Sequence, residues 1–328
     1  MGNLLVGLLS AAMATNQPVA LSNFVAATTG LSVNVPDPND PVEKEYRKVM
    51  EEDDAAADEV DKWIRENQAF VEKGGGVPRD VLNHRIRERL NVVRKAYEDF
   101  LKRHPDHARA HLAFGAFLDD MKQEDAAAEE FEKARQLDPK NPAPWNNLAN
   151  HFGHDGPIRK AFEYYEKAIE LDSTQSVYYR NLGDVVFLFR KDSKEYYHLD
   201  DDQQVFDKAL KLYEKALQLD PHNFPVAQDL AQTYYGIKPF RTDAALQAWT
   251  NALNIATADI EREGVYVHFA RIEMNAGNFN EARRILGTVT NETYTVLKNR
   301  LLRNLADKEA KATGTNAPPP KAEDPHKN

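Results

Sequence analysis

A spacing of 34 residues constrains this chain more than any other feature. Phe114-Gly115, Leu148-Ala149 and Leu182-Gly183 recur at that interval, each a large apolar residue followed by a small one. Twelve residues after the small residue of the first two pairs comes an alanine, then an aromatic four on and an alanine three on. These sets read Ala127/Phe131/Ala134 and Ala161/Tyr165/Ala168, and each is followed by a turn signal, Leu137-Asp138-Pro139 and Leu171-Asp172-Ser173. Residues three and four apart share one helix face. Small residues let two antiparallel helices approach closely, and the aromatic fills the space between them. Proline after the second helix forbids its continuation. One hairpin of this kind cannot bury its own apolar face, so the spacing predicts an all-α array of stacked hairpins.

The period has two irregularities. The third unit starts on time at Tyr179, Leu182 and Gly183, but its second half, Ala209/Tyr213/Ala216, arrives 14 residues late. The surplus falls near "RKDSKEYYHLDDDQQ", Arg190 to Gln204. A fourth unit has Leu230-Ala231 and Ala245/Trp249/Ala252, with a longer loop around "GIKPFRT". A fifth has Phe269-Ala270 and Ala282/Leu286/Val289, and an amphipathic helix from about Tyr294 to Leu305 is placed to cap the open end. Upstream, Val93/Tyr97/Phe100 before Pro105 keeps the second-helix spacing; its partner is a helical stretch from about Pro41 to Phe70, separated by "EKGGGVP". The expected organisation is a terminal segment 1–14, a low-charge linker 15–40, a divergent hairpin 41–105, an array 106–305 and a disordered tail 306–328, proline-rich and polar.

This pattern resembles the tetratricopeptide repeat family. The likeness rests on Trp145, Leu148-Ala149, Ala161, Tyr165 and Ala168, and on Phe114-Gly115, Ala127, Phe131, Ala134 and Pro139, with His111 at the tryptophan place. The third unit matches once its insertion is removed; the fourth is looser, with Ala227 at the tryptophan place and Thr257 for proline. The resemblance implies a right-handed α-solenoid of stacked antiparallel hairpins with a concave face lined by first helices. It implies a binder of peptides or proteins, and no chemistry.

On the first helices, Trp145, Leu148, Ala149 and Phe152 form the stripe expected to be buried. Asn146 and Asn150 lie four apart on another stripe, the inner wall. The next units place Arg180, Asn181 and Asp184 there, then Gln228, Asp229 and Gln232. Amides donate and accept, so they suit an extended backbone. In one subgroup of the family such a groove grips a C-terminal carboxylate; Asn150 and Asn181 fall at its asparagine places, but Asn146, Pro225 and Asp229 stand where cations are wanted. That specificity is therefore expected to be absent. The other reading of Asn146, Asn150 and Asn181 is that they bond one another. Asn147 falls between the stripes and takes no assignment.

Composition narrows the function classes. A formal net charge of −10 argues against nucleic-acid binding, which needs a basic stripe. The absence of cysteine excludes disulfides, thiolate metal sites and cysteine nucleophiles. Leu4 to Ala12 is a short apolar run followed by Ala12-Met13-Ala14, a small-x-small pattern of a bacterial signal peptide, although no Lys or Arg precedes it. Export to the periplasm or outside the cell is one expectation; a plain tail on a cytoplasmic protein and a retained anchor are the others. The run is too short to span a bilayer. His151, His154 and Asp155 lack a third ligand forced close, and Asp200, Asp201 and Asp202 with His198 lack calcium-loop spacing. No phosphate loop, nucleophile elbow or HExxH motif is present. The expected function is a non-catalytic interaction scaffold without metal or cofactor. The alternatives are an enzyme or small-molecule binder at the 190–204 insertion, near His198 and Asp202, and a self-associating structural protein. Tyr196-Tyr197 marks that insertion as a lid or a partner-specific epitope.

Overall fold

The computed structural model describes residues 37 and 39–313. The candidate signal segment lies outside the described residues, as does most of the expected tail. All regular structure among the described residues is helical, in two compact units divided between Pro144 and Trp145.

The first unit opens with two long helices, α1 (Pro41–Val71) and α2 (Arg79–Arg103). Asp40 caps α1 by accepting from the Val42 amide at 2.8 Å, and Pro41 sits in the first turn, where its missing amide hydrogen costs nothing. The buried contacts gather at one end of this hairpin: Tyr46, Val49 and Ala56 meet Val93, Tyr97, Phe100 and Leu101. Toward the "GGG" turn the pairing is polar, with Arg89 bridging Glu52 at 2.7 Å and Glu59 at 2.9 Å. The hairpin α3 (Ala108–Asp120) and α4 (Glu124–Leu137) packs onto it. Tyr97 stacks on Phe114 with ring centroids 5.2 Å apart, and its hydroxyl donates to Asp53 at 2.6 Å. This stacking makes one unit of the divergent hairpin and the first regular repeat, where the sequence suggested a boundary near residue 105.

The second unit carries the rest of the array. Its hairpins are α5 (Pro142–Asp155, from Trp145 on in this unit) with α6 (Ile158–Leu171), α7 (Ser176–Leu188) with α9 (Asp202–Leu219), α10 (Phe224–Thr233) with α11 (Thr242–Ile255), and α12 (Asp259–Ala276) with α13 (Phe279–Gly287). The alternating first and second helices bury the repeat residues. Leu148, Ala149, Ala161, Tyr165, Ala168, Leu182, Ala209, Tyr213 and Ala216 are all at most 3% exposed. Phe114, Ala127, Phe131 and Ala134 are likewise buried in the first unit. The small residue after each large one is a steric requirement. A Cβ on Gly183 would sit 2.8 Å from the Tyr213 ring, and one on Gly115 would sit 2.6 Å from Phe131. Trp145 and Phe152 are only half-buried, and both meet Tyr164, edge-on at 5.0 and 5.3 Å.

The insertion is a short helix, α8 (Arg190–Tyr197), plus an extended start to α9. It packs against the helices of its own and the preceding hairpin. Tyr196 and Tyr197 pack on Phe162 of α6, at 5.1 and 5.5 Å, and the Tyr196 hydroxyl donates to Glu166 at 3.0 Å. Buried Ser193 anchors the helix by donating to the Val186 carbonyl at 3.1 Å. The insertion thus lies on the second-helix row.

The last helix, α14, runs Thr295–Thr313, past the end expected at Leu305. The segment Ala306-Asp307-Lys308-Glu309-Ala310-Lys311 consists mostly of strong helix formers. Arg283 holds Glu309 at 2.6 Å and Lys308 donates to Asn275 at 2.9 Å, so α12 and α13 fasten the added turns. Residues 306–313 therefore belong to the helix, not to a disordered tail.

Candidate functional site

The first-helix face of the second unit carries the side chains expected to meet a partner. On α7, Val177, Arg180, Asn181, Asp184 and Leu188 recur at helical spacing along one stripe. Asn181 reaches toward α5, donating its Nδ2 to Asn146 Oδ1 at 3.0 Å and to Asn150 Oδ1 at 3.3 Å. Asn146 is 6% exposed and spends its own Nδ2 on Asn147 Oδ1 at 3.2 Å, which gives Asn147 its place. The three asparagines expected to hold a foreign backbone bond one another, because amides facing across adjacent helices both donate and accept.

On the other side of α7, Arg180 reaches α10 and pairs with Asp229 at 3.0 Å, with Asp184 3.9 Å away. Burial pushes both the Asp184 and the Asp229 carboxyls above the usual range; Asp229 adds to the shift of Asp184, while Tyr213 and Arg180 oppose it. Gln228 and Gln232 on α10 are half-buried, and their side chains form no hydrogen bond among the described residues. Val177 and Leu188 are 47% and 66% exposed at the two ends of the α7 stripe.

A relation within two of the hairpins escaped the sequence reading. The second-helix tyrosine hydroxyl donates to the wall residue of its own hairpin: Tyr165 to Asn150 at 2.6 Å, and Tyr213 to Asp184 at 2.8 Å. Where the aromatic is Phe131, which has no hydroxyl, the corresponding wall place holds Ala116. The signal was the matching of Tyr with a polar partner, and Phe with alanine, within the first three units.

The other candidates disperse. His151 is half-buried against Phe152, and His154 is exposed. Asp201 caps α9 by accepting from the Gln204 amide at 2.9 Å, Asp202 accepts from Lys194 at 2.6 Å, and Asp200 accepts from Gln204 at 3.1 Å. His198 closes α8 in the left-handed conformation, φ 54°. Asp200, Asp201 and Asp202 are each engaged in local structure. Among the described residues no three His, Asp or Glu side chains converge as metal ligands, and no helix is long and apolar enough to cross a membrane.

Fold and wall together define a helix-hairpin repeat protein. The tetratricopeptide repeat family model matches residues 108–141, the α3–α4 hairpin with its flanking turn, so this stretch is one such repeat. The chain is 28% identical over 140 residues to the RNA polymerase-associated protein CTR9 of Caenorhabditis elegans, a match covering 41% of this chain and 12% of that protein. It is 27% identical over 89 residues to the Photosystem I assembly protein Ycf3 of Acaryochloris marina, covering 26% of this chain and 52% of that protein. The chain thus spans at most about half the length of these curated relatives. Among solved structures, the type IV pilus biogenesis factor PilW superposes with a TM-score of 0.50 at 16% identity, over 69% of this chain and 94% of that one. That likeness concerns the fold.

Proposed function

We propose that the chain is a non-catalytic scaffold that binds a protein or peptide partner on the first-helix wall of its second unit, α5–α7–α10. The observation that carries this reading is the division of labour along the wall. Asn146, Asn150 and Asn181 bond one another between α5 and α7, while Gln228 and Gln232 on α10 keep side-chain amides without a hydrogen bond among the described residues, and Val177 and Leu188 on α7 stand exposed. Unpaired amides and exposed aliphatic side chains on a rigid surface are what partner recognition uses. Side-chain amides recognise a backbone without reading its sequence, and the aliphatic residues supply contact area.

A photo-crosslinking amino acid at Gln232, compared with one at Lys191 on α8, tests the reading. Cross-linked protein adducts in native extract are expected at position 232 and not at position 191. Equal labelling at both, or labelling only on the insertion, would assign the partner face to the second-helix row instead.

A further inference from the structure

Beyond α10 the same wall continues on α12 and α14 and changes character. A pocket of about 390 Å3 opens between these two helices. Val267, Met274, Leu297 and Leu301 form its floor, and Arg271, Arg300 and Lys308 stand around it. Not one lining residue is acidic, in a chain whose formal net charge is −10. The acidic residues of α12 are occupied elsewhere: Asp259 with Arg262, Glu261 with the Thr257 and Ala258 amides, Glu263 with Thr290 and Asn291, and Glu273 with Asn278. α14 itself carries Lys298, Arg300, Arg303, Lys308 and Lys311 against only Asp307 and Glu309.

The three cations are held without being neutralised. Arg271 lies over the Tyr235 ring at 4.4 Å, and Lys308 donates to the neutral amide of Asn275. Arg300 forms no ion pair or hydrogen bond among the described residues. Behind Arg271, His268 stacks on Trp249 at 3.9 Å and meets the Tyr235 hydroxyl at 3.0 Å, so the wall at this point is rigid. In the same unit Arg180, Arg190, Lys194, Arg241, Arg262, Arg283 and Arg284 all have carboxylate partners. Leaving several like charges around one apolar hollow costs self-repulsion, which a complementary ligand relieves.

We propose that this pocket receives an acidic segment of a protein partner, with one large apolar side chain on the floor and its neighbouring carboxylates on Arg271, Arg300 and Lys308. The inference rests on the reading of the first-helix wall as the partner face and gives that partner a chemistry. A hollow of this size takes one side chain, not a bilayer. The one ring that lines the pocket, His268, is already stacked on Trp249, so the three cations fit carboxylates better than a nucleic-acid strand.

The test is fluorescence anisotropy on the full chain with dye-labelled, acetylated and amidated peptides. The first has the sequence Glu-Asp-Leu-Phe-Glu-Asp; a second has Lys at each acidic position; a third has Ser-Ser in place of Leu-Phe. The first is expected to bind, and the others to bind about tenfold more weakly or less. Its affinity should fall steeply between about 50 and 500 mM salt, as the Debye length contracts. The Arg271→Glu/Arg300→Glu pair, on exposed positions, should lower it by about tenfold or more, and Arg300→Gln alone should lower it measurably. Equal binding of the three peptides, or binding that neither variant changes, overturns the proposal. So does binding of a single-stranded oligonucleotide in place of the acidic peptide. Failure here with wall-specific cross-linking at Gln232 intact removes this pocket and leaves the wall reading. The reverse pattern removes the wall reading and keeps the pocket.

Discussion

Asn181 on α7 donates its side-chain amide to Asn146 on α5 at 3.0 Å, across two hairpins, and shares it with Asn150 at 3.3 Å. Replacing Asn181 with alanine leaves the acceptors of a nearly buried amide and a half-buried one partly unsatisfied. A loss of about 1–3 kcal/mol in the unfolding of the second unit is expected from urea titration. Asn181→Asp should cost more, since it sets carboxylate oxygens against two amide oxygens. No change in either variant would mean that these amide bonds contribute nothing to the stack.

The close approach of α7 and α9 is set by Gly183 against Tyr213. Gly183→Ala should destabilise by about 1–3 kcal/mol, because the ring cannot retreat without breaking its hydroxyl bond to Asp184. Ala149, in the same place one hairpin earlier, already carries a Cβ. There, substitution to glycine should cost only the helix propensity of about 1 kcal/mol. Shrinking the ring with Tyr213→Leu should recover part of the Gly183→Ala loss, a coupling that a double-mutant cycle measures.

His268 gives the second unit an acid-labile point. Burial, aided by the neighbouring Arg271 cation, lowers its pKa from the ordinary 6.5 to about 4. The unfolded chain therefore binds this proton before the folded one does. The stability His268 contributes is present above pH 6.5 and is lost as pH falls from 6.5 toward 4, by at most about 3 kcal/mol. A neutral aromatic, His268→Phe, should flatten the decline of melting temperature over that interval. An unchanged slope would show that the imidazole is not the titrating group.

Arg180 tests the opposite sign. The carboxyls of Asp184 and Asp229 are raised by burial, with Arg180 opposing the shift. Arg180→Ala removes that counter-charge, so at neutral pH two half-buried carboxylates face each other. A cost of about 1 kcal/mol is expected, modest because the site is partly open to water. It should shrink as pH falls through the raised pKa values and the groups protonate. A cost independent of pH would place the role of Arg180 in packing alone.

The helix pairs were legible because their constraint is local and repeated. Gly115 and Ala149, each followed by an aromatic at one fixed spacing, and Gly183, whose Tyr213 follows at that spacing once the insertion is removed, allow little besides close-packed hairpins. The wall was legible as a face, since Asn146 and Asn150 lie four apart on one helix. Its internal pairing was not, because helical spacing says where a side chain sits and not what stands opposite. Asn146 and Asn181 belong to different hairpins, and only the stacking offset brings them within 3.0 Å. The length of α14 was hidden by the prolines farther on, which gave the whole end a loop-like composition although Ala306 to Lys311 favour helix. The basic pocket was hidden because Arg271 and Arg300 come from separate helices, and total charge conceals a local cationic cluster.

The central claim is that the first-helix wall of the second unit binds a protein partner. The direct measurement is parallel affinity capture from native extract with the wild type, a wall variant and a control. The wall variant combines Val177→Glu, Leu188→Glu, Gln228→Ala and Gln232→Ala; the control carries Lys191→Ala and Glu195→Ala on α8. Matching circular dichroism and melting profiles secure the comparison. At least about a tenfold loss of the captured partner is expected for the wall variant and none for the control. Capture of the same proteins at the same yield by all three would contradict it.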